Sequence, residues 1–308
     1  MYYFIVNPNS CCGRGKIIWD KLERTLNDSG VEYQAYLTEK PGDAKIFAKN
    51  LTEGCKESNV IIAVGGDGTV NEILDGYSMC SCVTLGYIPA GSGNDLARSL
   101  KLPKNPIKCL KKILHPKYYK LMDYGVLSYG EGEIFHRRFM VSAGIGMDAA
   151  VCHNILHSKS KGFLNKLHMG KAVYLLVGVK QLALAKPSKG YILLNGVQKV
   201  EFNHAYFISV HIHPYEGGGF KFAPDASFED GKLSVCIMNS RRKRKLVPLL
   251  LASLMGRKSS VGGTRSYTCE EAMIHMDSPM AVHVDGESCF CQSNVEIQCI
   301  GRKLRMIV

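Results

Sequence analysis

The sequence of 308 residues has no apolar run long enough to cross a bilayer, which takes roughly 18–20 consecutive apolar residues. The apolar stretch at 246–255 is shorter, and Pro248 and Ser253 interrupt it. The N-terminal residues 1–6 lack the basic region of a signal peptide and instead predict a first core strand. Together these absences predict a cytoplasmic protein without a helical membrane span.

The twelve cysteines include no Cys-x-x-Cys motif, the spacing that many zinc and redox sites use. Two Cys-x-Cys pairs, Cys80 with Cys82 and Cys289 with Cys291, have no matching cluster of histidines and cysteines. A zinc centre and a disulfide framework are therefore both disfavoured. In a reducing compartment we expect the cysteines to be small, buried, apolar side chains.

The chain also lacks the two most common phosphate-binding fingerprints. No Gly-x-x-x-x-Gly-Lys-Ser/Thr motif occurs, which excludes a P-loop NTPase. The dinucleotide pattern Gly-x-Gly-x-x-Gly/Ala fails at Asn71 in the segment 66–71. The segment 144–149 matches the pattern formally, but no strand–helix–strand context surrounds it. A phosphate site must therefore be sought in a different kind of loop.

One glycine-rich loop follows a strongly apolar segment. Residues 60–64 are apolar and mostly β-branched, and they lead directly into Gly65–Gly68. This pattern predicts a buried strand that ends in a tight loop, where glycines can adopt positive φ and bring backbone N–H groups close to an anion. The helical spacing from Thr69 onward places a helix N-terminus, which favours phosphate, at the same loop. Asp67 would repel phosphate unless a divalent cation bridged them, so the loop predicts Mg²⁺ as well as a nucleotide.

A second loop of this kind begins about twenty residues later. The short apolar segment 83–88 is followed by residues 89–98, Pro-Ala-Gly-Ser-Gly-Asn-Asp-Leu-Ala-Arg. A single loop of this composition is also compatible with an ordinary turn between a strand and a helix. Two of them at the carboxyl ends of neighbouring strands would line one crevice, which is where open α/β sheets bind ligands.

The pattern of apolar segments divides the chain in two. Residues 1–122 alternate between strand-like and helix-like segments, which predicts a Rossmann-like α/β domain with a parallel sheet. After Asp123 the apolar segments become short, alternating and separated by turn residues, as in an antiparallel β-sandwich. The predicted fold class is therefore α/β plus β, with an N-terminal Rossmann-like domain and a C-terminal antiparallel β-sandwich domain.

Residues 65–72 and 89–98 resemble the signature of the diacylglycerol kinase catalytic-domain family, particularly its compact bacterial lipid kinases. The resemblance continues in the same order along nearly the whole chain. The other matching segments are Asn7–Ser10 with Gly15 and Lys16, Thr38, Asp123, Gly170–Tyr174, Pro224–Gly231 and Asp285–Glu287. The sequence departs from the family pattern at Cys11 and Cys12 in the first loop, and at Asp43.

This resemblance implies an ATP-dependent lipid kinase that phosphorylates a lipid hydroxyl, most readily that of diacylglycerol, to give phosphatidic acid. It implies a nucleotide-binding domain over 1–122, to which residues 294–308 return, and a lipid-substrate domain over 123–293. A NAD kinase-like enzyme is the nearest alternative because it shares the Gly-Gly-Asp-Gly loop, although the segment 89–98 favours a lipid kinase. A non-catalytic, basic regulator that binds nucleotides or nucleic acid is a second alternative, given the net charge of +12.

The resemblance also assigns residues. It implies Glu287 as the general base, while Asp67, Asp95 and Asp123 would organise the catalytic Mg²⁺ or its waters. Lys171 and Arg98 would neutralise phosphate charge. The residues expected to bind ATP are Asn7, Pro8, Lys16, Thr38, Gly65, Gly66, Asp67, Gly68, Thr69, Asn71 and Ser92. A structural Mg²⁺ is implied at Ser227, Asp230 and Lys232, where lysine can contribute only its backbone carbonyl. For each of the three aspartates, helix capping or turn stabilisation is the alternative role.

The positive charge is concentrated in two segments that contain no acidic residue, 149–200 and 240–269. They hold sixteen of the 39 basic residues, and the rest of the chain has a net charge of −4. Each segment lies beside an apolar, helix-like stretch, which favours docking on an anionic membrane surface over a solvated basic face. We find no recognition-helix or zinc motif and expect no nucleic acid partner. Peripheral membrane association is therefore expected, and a homodimer is left open.

Overall fold

The computed structural model describes residues 1–78, 82–147, 149, 180, 182–256 and 263–308. The contacts divide the chain into two units, the first comprising Met1–Met122 with Arg302–Val308, and the second Asp123–Gly301. The C-terminal return therefore begins at Arg302 rather than at residue 294, because residues up to 298 of the last strand still pair with a strand of the second unit.

The first unit contains a parallel sheet. Its strands are β1 (Tyr2–Val6), β2 (Tyr33–Leu37), β3 (Asn59–Gly65) and β4 (Val83–Pro89), and its helices are α1 (Ser10–Asp28), α2 (Asp43–Thr52), α3 (Asp67–Gly76), α4 (Asp95–Ser99) and α5 (Pro106–Leu114). The strand order is β2-β1-β3-β4, and Met306 from the end of the chain pairs in parallel with Leu85 of β4. The predicted Rossmann-like domain is confirmed.

Apolar periodicity explains how the helices of the first unit pack. Helix α1 buries Ile18, Trp19, Leu22 and Leu26, which recur at helical spacing. Trp19 packs against Phe4 of β1, with ring centroids 5.3 Å apart. Because β1 and β3 are parallel neighbours, the loops that follow these two strands lie at the same edge of the sheet, which is the usual ligand position in such folds.

The second unit is built from antiparallel strands. They are β5 (Tyr119–Tyr129), β6 (Phe135–Phe139), β7 (Ser142–Gly146), β8 (Ser188–Leu194), β9 (Gln198–His211), β10 (Leu233–Asn239), β11 (Thr264–Cys269), β12 (Glu271–Val284) and β13 (Glu287–Ile307), with helix α6 (Leu246–Leu254) after β10. Strands β5 and β13 each continue across the boundary between the units.

The two long strands β9 and β12 create the sandwich. The first half of each pairs with β8, and the second half of each pairs with β7. Their inward faces contribute Phe202, Ile208, Ile274 and Val282 to one buried core. The predicted β-sandwich is therefore confirmed. Within the described residues, no helix is both long and apolar enough to span a membrane.

Candidate functional site

The two glycine-rich loops of the first unit lie against each other. The Ala90 N–H donates to the carbonyl oxygen of Gly65 at 2.6 Å. A Cβ added to Gly91 would lie 2.5 Å from the Cα of Gly66, and one added to Gly65 would collide with the side chain of Thr69. Gly66 has φ −98°, so this glycine is needed for close approach and not for the positive φ that the sequence suggested.

Asp67 joins the two loops through its side chain. Its carboxylate accepts hydrogen bonds from the N–H of Asp95 at 2.9 Å and from the N–H of Leu96 at 3.3 Å. Burial raises the pKa of Asp67, while these backbone donors and the nearby Arg98 act in the opposite direction. Asp67 thus performs the helix-capping role that the sequence left open for the aspartates, and it does so for the neighbouring helix α4.

Asp95 and Arg98 form an ion pair one turn apart on α4, with the aspartate buried. Arg98 also donates to the carbonyl oxygen of Gly93 at 3.2 Å. The guanidinium therefore lies along the second loop, and its role in neutralising phosphate charge stays a prediction. Ser92, in the same loop, is exposed.

Two residues that the sequence analysis did not assign complete this loop. Asn94 has φ +51°, and its side chain both donates to the carbonyl of Gly91 (2.7 Å) and accepts from the Gly91 N–H (3.0 Å). The Tyr87 hydroxyl lies 3.2 Å from Oδ1 of Asn94. Burial, with the nearby Asp67 and Asp95, raises the pKa of Tyr87 well above its ordinary value, so the phenol stays protonated and can donate a hydrogen bond.

The first loop meets the glycine loop through Asn7. The Asn7 N–H donates to the carbonyl of Val64 at 2.9 Å, and its side-chain amide donates to Oγ1 of Thr69 at 3.3 Å. Gly15 packs so closely on the Asn7 carbonyl that no Cβ would fit. The Lys16 N–H donates to the Pro8 carbonyl at 3.0 Å. Asn7 and Pro8 are thus brought to the same edge of the sheet as Thr69.

Other residues predicted to bind ATP lie in varied positions. Lys16 pairs through its ammonium with Asp20 on the exposed side of α1, so its side chain is engaged away from the loop. The N–H of Thr38, just beyond β2, donates to the carbonyl of Val6 at the end of β1 (2.8 Å). Asn71 is fully buried on α3. Cys11 and Cys12, the departures from the family pattern, have positive φ of 48° and 56°, which is rare for residues with a Cβ.

In the second unit, Asp123 on β5 contacts the loop that was predicted to hold a structural cation. Its carboxylate accepts from the Gly231 N–H at 2.7 Å, and its own N–H donates to the Phe228 carbonyl at 2.8 Å. Asp230 accepts from the Lys232 N–H at 3.0 Å, and Ser227 accepts from the Glu229 N–H at 3.4 Å. Asp123, Ser227, Asp230 and the Lys232 carbonyl offer only oxygen donors, which fit Mg²⁺.

Within the part of the chain that the structure describes, no three His, Cys, Asp or Glu side chains are grouped to hold a metal. Fewer than three such side chains therefore meet at the glycine loops and around Asp123 as well, and a cation at either position stays a prediction.

Glu287 follows a two-residue turn between β12 and β13. Asp285 and Gly286 both have positive φ, 47° and 89°, which is the conformation that an Asp-Gly hairpin turn adopts. The Asp285 carboxylate accepts from three backbone N–H groups, those of Met140 (2.7 Å), Val141 (2.9 Å) and Ser142 (3.0 Å). Glu287 is exposed beside this fixed turn.

The remaining predictions concern the basic segments. Lys171, with most of segment 149–200, lies outside the described residues. In segment 240–269, the side chains of Arg241, Arg242, Arg244 and Lys245 are exposed. Lys243 differs, because its ammonium donates to the Ala183 carbonyl at 2.8 Å and lies 5.6 Å from the Tyr206 ring.

The apolar stretch after these residues is only partly available to a membrane. Leu246 and Leu250 of α6 are buried in a cluster with Phe207 and Met238. Leu251 and Met255 remain 41% and 64% exposed. One face of α6 is part of the protein core, so only residues outside that face can belong to the docking surface that the sequence predicts.

Family models cover nearly the whole chain. Residues 1–127 match the diacylglycerol kinase catalytic domain, and residues 140–308 match the YegS C-terminal NAD kinase beta sandwich-like domain. The chain belongs to the diacylglycerol kinase family. Its activity class is accordingly that of a kinase related to the lipid kinases.

Individual relatives are distant but similar in length. A diacylglycerol kinase of Bacillus subtilis is 26% identical over 92% of this chain and 88% of its own. YtlR of the same organism, named only as a lipid kinase, is 26% identical over 93% of both chains. A solved structure of a diacylglycerol kinase from Bacillus anthracis covers 99% of this chain and 96% of its own, with a TM-score of 0.71 and 20% identity, which shows the fold.

Proposed function

We propose that the protein is an ATP-dependent lipid kinase that transfers the γ-phosphoryl group to a lipid hydroxyl. Diacylglycerol is the favoured acceptor, with phosphatidic acid as the product. The observation that carries this proposal is the pair of interlocked glycine loops, in which Asp67 accepts from the backbone of the loop that bears Asp95 and Arg98. The names of the relatives, which include diacylglycerol kinases, support the choice of acceptor.

Phosphoryl transfer needs positioning and charge neutralisation more than covalent chemistry from the protein. The backbone of Gly65–Gly68, with the hydroxyls of Thr69 and Ser92, would cradle the nucleotide phosphates. Arg98 would balance their charge, as would Lys171. Mg²⁺ supplies further neutralisation when bound, and Asp67 and Asp95 would hold it or its waters, with Asp123 and the Ser227–Lys232 loop as the structural position.

Glu287 is proposed as the general base. It would accept the proton of the lipid hydroxyl as the hydroxyl oxygen forms its bond to the γ-phosphorus and the bond from that phosphorus to ADP breaks. Exposure suits this role, because the substrate must reach the carboxylate. The fixed Asp285–Gly286 turn suits it as well, since a base acts only from a defined position.

Access to a lipid acceptor requires contact with a bilayer, and we propose peripheral association through the basic segments 149–200 and 240–269. The four exposed residues Arg241, Arg242, Arg244 and Lys245 support the second of these. Each basic residue near an anionic surface contributes about 1 kcal/mol. The exposed Leu251 and Met255 add apolar surface close to these charges.

A NAD kinase-like activity is the second candidate, because a yeast NADH kinase structure has a TM-score of 0.53 over 99% of this chain at 9% identity. One assay separates the two functions. Purified protein is incubated with labelled ATP, Mg²⁺ and mixed lipid vesicles, and in parallel with NAD⁺. Label in the organic phase is the expected result, whereas formation of NADP⁺ alone would reject the lipid kinase.

The Glu287→Gln variant extends this assay to the mechanism. It should lower kcat by roughly 10²–10⁴, which is the usual contribution of a positioned base, with ATP affinity close to that of the wild type. An unchanged kcat would remove Glu287 from the mechanism without rejecting lipid phosphorylation itself.

A further inference from the structure

A buried cluster of polar side chains lies in the second unit, away from the residues assigned above. His211, His213, Glu216 and His283 are all buried. One carboxylate oxygen of Glu216 lies 3.1 Å from Nε2 of His283, and the other lies 3.3 Å from Nε2 of His211. A buried carboxylate is strongly disfavoured unless it is hydrogen-bonded, so these contacts define how Glu216 is held.

The contacts of His283 define its protonation state. The Gly286 N–H donates to Nδ1 of His283 at 3.1 Å, so Nδ1 must carry a lone pair and not a proton. The neutral ring then carries its proton on Nε2 and donates it to Glu216. A directed line of hydrogen bonds therefore runs from the Gly286 N–H through His283 to Glu216.

His211 lies on the other side of Glu216. Nδ1 of His211 faces the carbonyl of His213 at 3.1 Å and must donate to it. Burial lowers the pKa of His211, so the ring is neutral near pH 7 and its Nε2 accepts from the hydroxyl of Ser209 at 2.9 Å. Nε2 also lies 3.3 Å from the second carboxylate oxygen of Glu216, which has no hydrogen-bond partner among the described residues. Glu216 is therefore held through its contact with His283.

One end of this line of hydrogen bonds is the N–H of Gly286, the residue before Glu287. We propose that Glu216 and His283 are positioning residues, which hold the amide of Gly286 and thereby present Glu287 in one conformation. This inference rests on the proposed role of Glu287 as the base. Asp285 anchors the same turn to residues 140–142. His283 adds the second anchor, on the side nearer to Glu287.

The need for a second anchor follows from the residue types. Gly286 has φ +89° and no side chain, so it adds no side-chain contact to a turn that is held by the pairing of Val284 with Glu287 and by the Asp285 carboxylate. Glu287 is exposed and is not held by core packing. A base displaced by about 1 Å can lose on the order of 10²-fold in rate, so a modest loss of order at Gly286 should lower kcat.

Two substitutions of His283 separate the two hydrogen bonds. In His283→Asn, the side-chain oxygen can reach the position of Nδ1 and accept from Gly286, but contact with Glu216 is lost. In His283→Gln, the side-chain amide can reach Glu216, but Gly286 loses its acceptor. We expect H283Q to lower kcat by roughly 10- to 100-fold with KM for ATP unchanged, and H283N to retain about ten times more activity than H283Q.

Glu216 provides a matched pair of variants. In Glu216→Gln, the oxygen can accept from Nε2 of His283 and the amide can donate to Nε2 of His211, so kcat should stay near the wild-type value. Glu216→Ala leaves Nε2–H of His283 without this acceptor but keeps Nδ1 facing Gly286, so it should lower kcat about as much as H283N does. Thermal unfolding of all four variants identifies losses that arise from misfolding.

Amide hydrogen exchange gives a readout that does not depend on activity. Exchange at Gly286 should be slow in the wild type and in H283N, and faster in H283Q. Equal exchange and equal kcat in H283N and H283Q would overturn the proposal, as would a Glu216→Ala variant that unfolds earlier yet keeps full kcat. If Glu287→Gln itself keeps full kcat, the proposed base is wrong and the positioning role falls with it. A failure of positioning alone would leave Glu287→Gln inactive.

Discussion

The glycine loops of the first unit and the Asp285–Gly286 hairpin of the second are both fixed in position, but by different means. The glycine loops are shaped by missing side chains, because Gly66 and Gly91 allow two backbones to touch. The hairpin is shaped by side chains that accept from backbone N–H groups, those of Asp285 and His283. Substitutions that add a side chain should therefore disrupt the glycine loops, whereas substitutions that remove a hydrogen-bond acceptor should disrupt the hairpin.

Asp67 is an exception to this difference, because its carboxylate accepts from backbone N–H groups inside the glycine-loop region. Asp67→Ala should abolish activity and also destabilise the protein by about 2–4 kcal/mol, since two backbone N–H groups lose a charged acceptor. Urea unfolding and the labelled-ATP assay measure the two effects separately.

Asp67→Asn is the matched control, because its amide oxygen can still accept from one of these N–H groups. It should recover part of the lost stability while remaining inactive. Full activity of either variant at saturating Mg²⁺ would mean that Asp67 serves only to join the loops and has no role in the reaction.

The exposed basic residues that precede α6 test whether the second unit carries the membrane-docking surface. Changing Arg241, Arg242, Arg244 and Lys245 of the second unit to Gln should weaken binding to anionic vesicles by about 4 kcal/mol at low salt, at about 1 kcal/mol per charge. Lys243 is left unchanged because its ammonium is bound to the Ala183 carbonyl. Vesicle sedimentation across a salt series provides the measurement, since salt should remove much of the difference.

Four exposed lysines of the first unit, Lys104, Lys108, Lys111 and Lys112, supply a control with the same change in net charge. Their substitution by Gln should have a much smaller effect on sedimentation. Equal losses in the two variants would indicate that vesicle binding reports net charge and not a docking surface. Activity on a short-chain, water-soluble acceptor should be nearly unaffected in both.

Local pattern was sufficient to predict the first unit. The apolar segment 60–64 and the glycines after it predicted β3 and the loop in which it ends, because both depend on neighbours in the sequence. The antiparallel unit was predicted less well in detail. The sequence predicted short strands separated by turns, whereas the structure has a strand of 14 residues, β12, whose register shifts between His275 and Met280.

Contacts between distant residues could not be predicted from the sequence. Asp67 meets Asp95 and Leu96, 28 and 29 positions away, and Asp285 meets residues more than 140 positions away. The cluster around Glu216 depends on the neighbouring ends of β9 and β12, which no local pattern specifies. Such contacts arise from strand pairing, so periodicity along the chain carries no signal of them.

The free energy of unfolding should depend on pH through a buried histidine of the second unit. His213 is buried in the second unit and stacks on Phe228 with ring centroids 4.6 Å apart. Burial, with the neighbouring His211, lowers the pKa of His213 from 6.5 to about 3. Between these values the unfolded chain binds the proton and the folded protein does not, so stability falls as the pH falls.

The contribution of His213 is thus complete above pH 6.5 and is lost progressively toward pH 3. From pH 7 to pH 4.5 the loss should be about 2–3 kcal/mol, at about 1.4 kcal/mol per pH unit below 6.5. His213→Gln cannot titrate, so its free energy of unfolding in urea should depend less on pH by this amount. Parallel pH profiles for the wild type and His213→Gln would mean that His213 takes up its proton over the same pH range in the folded and the unfolded protein, so that burial does not lower its pKa.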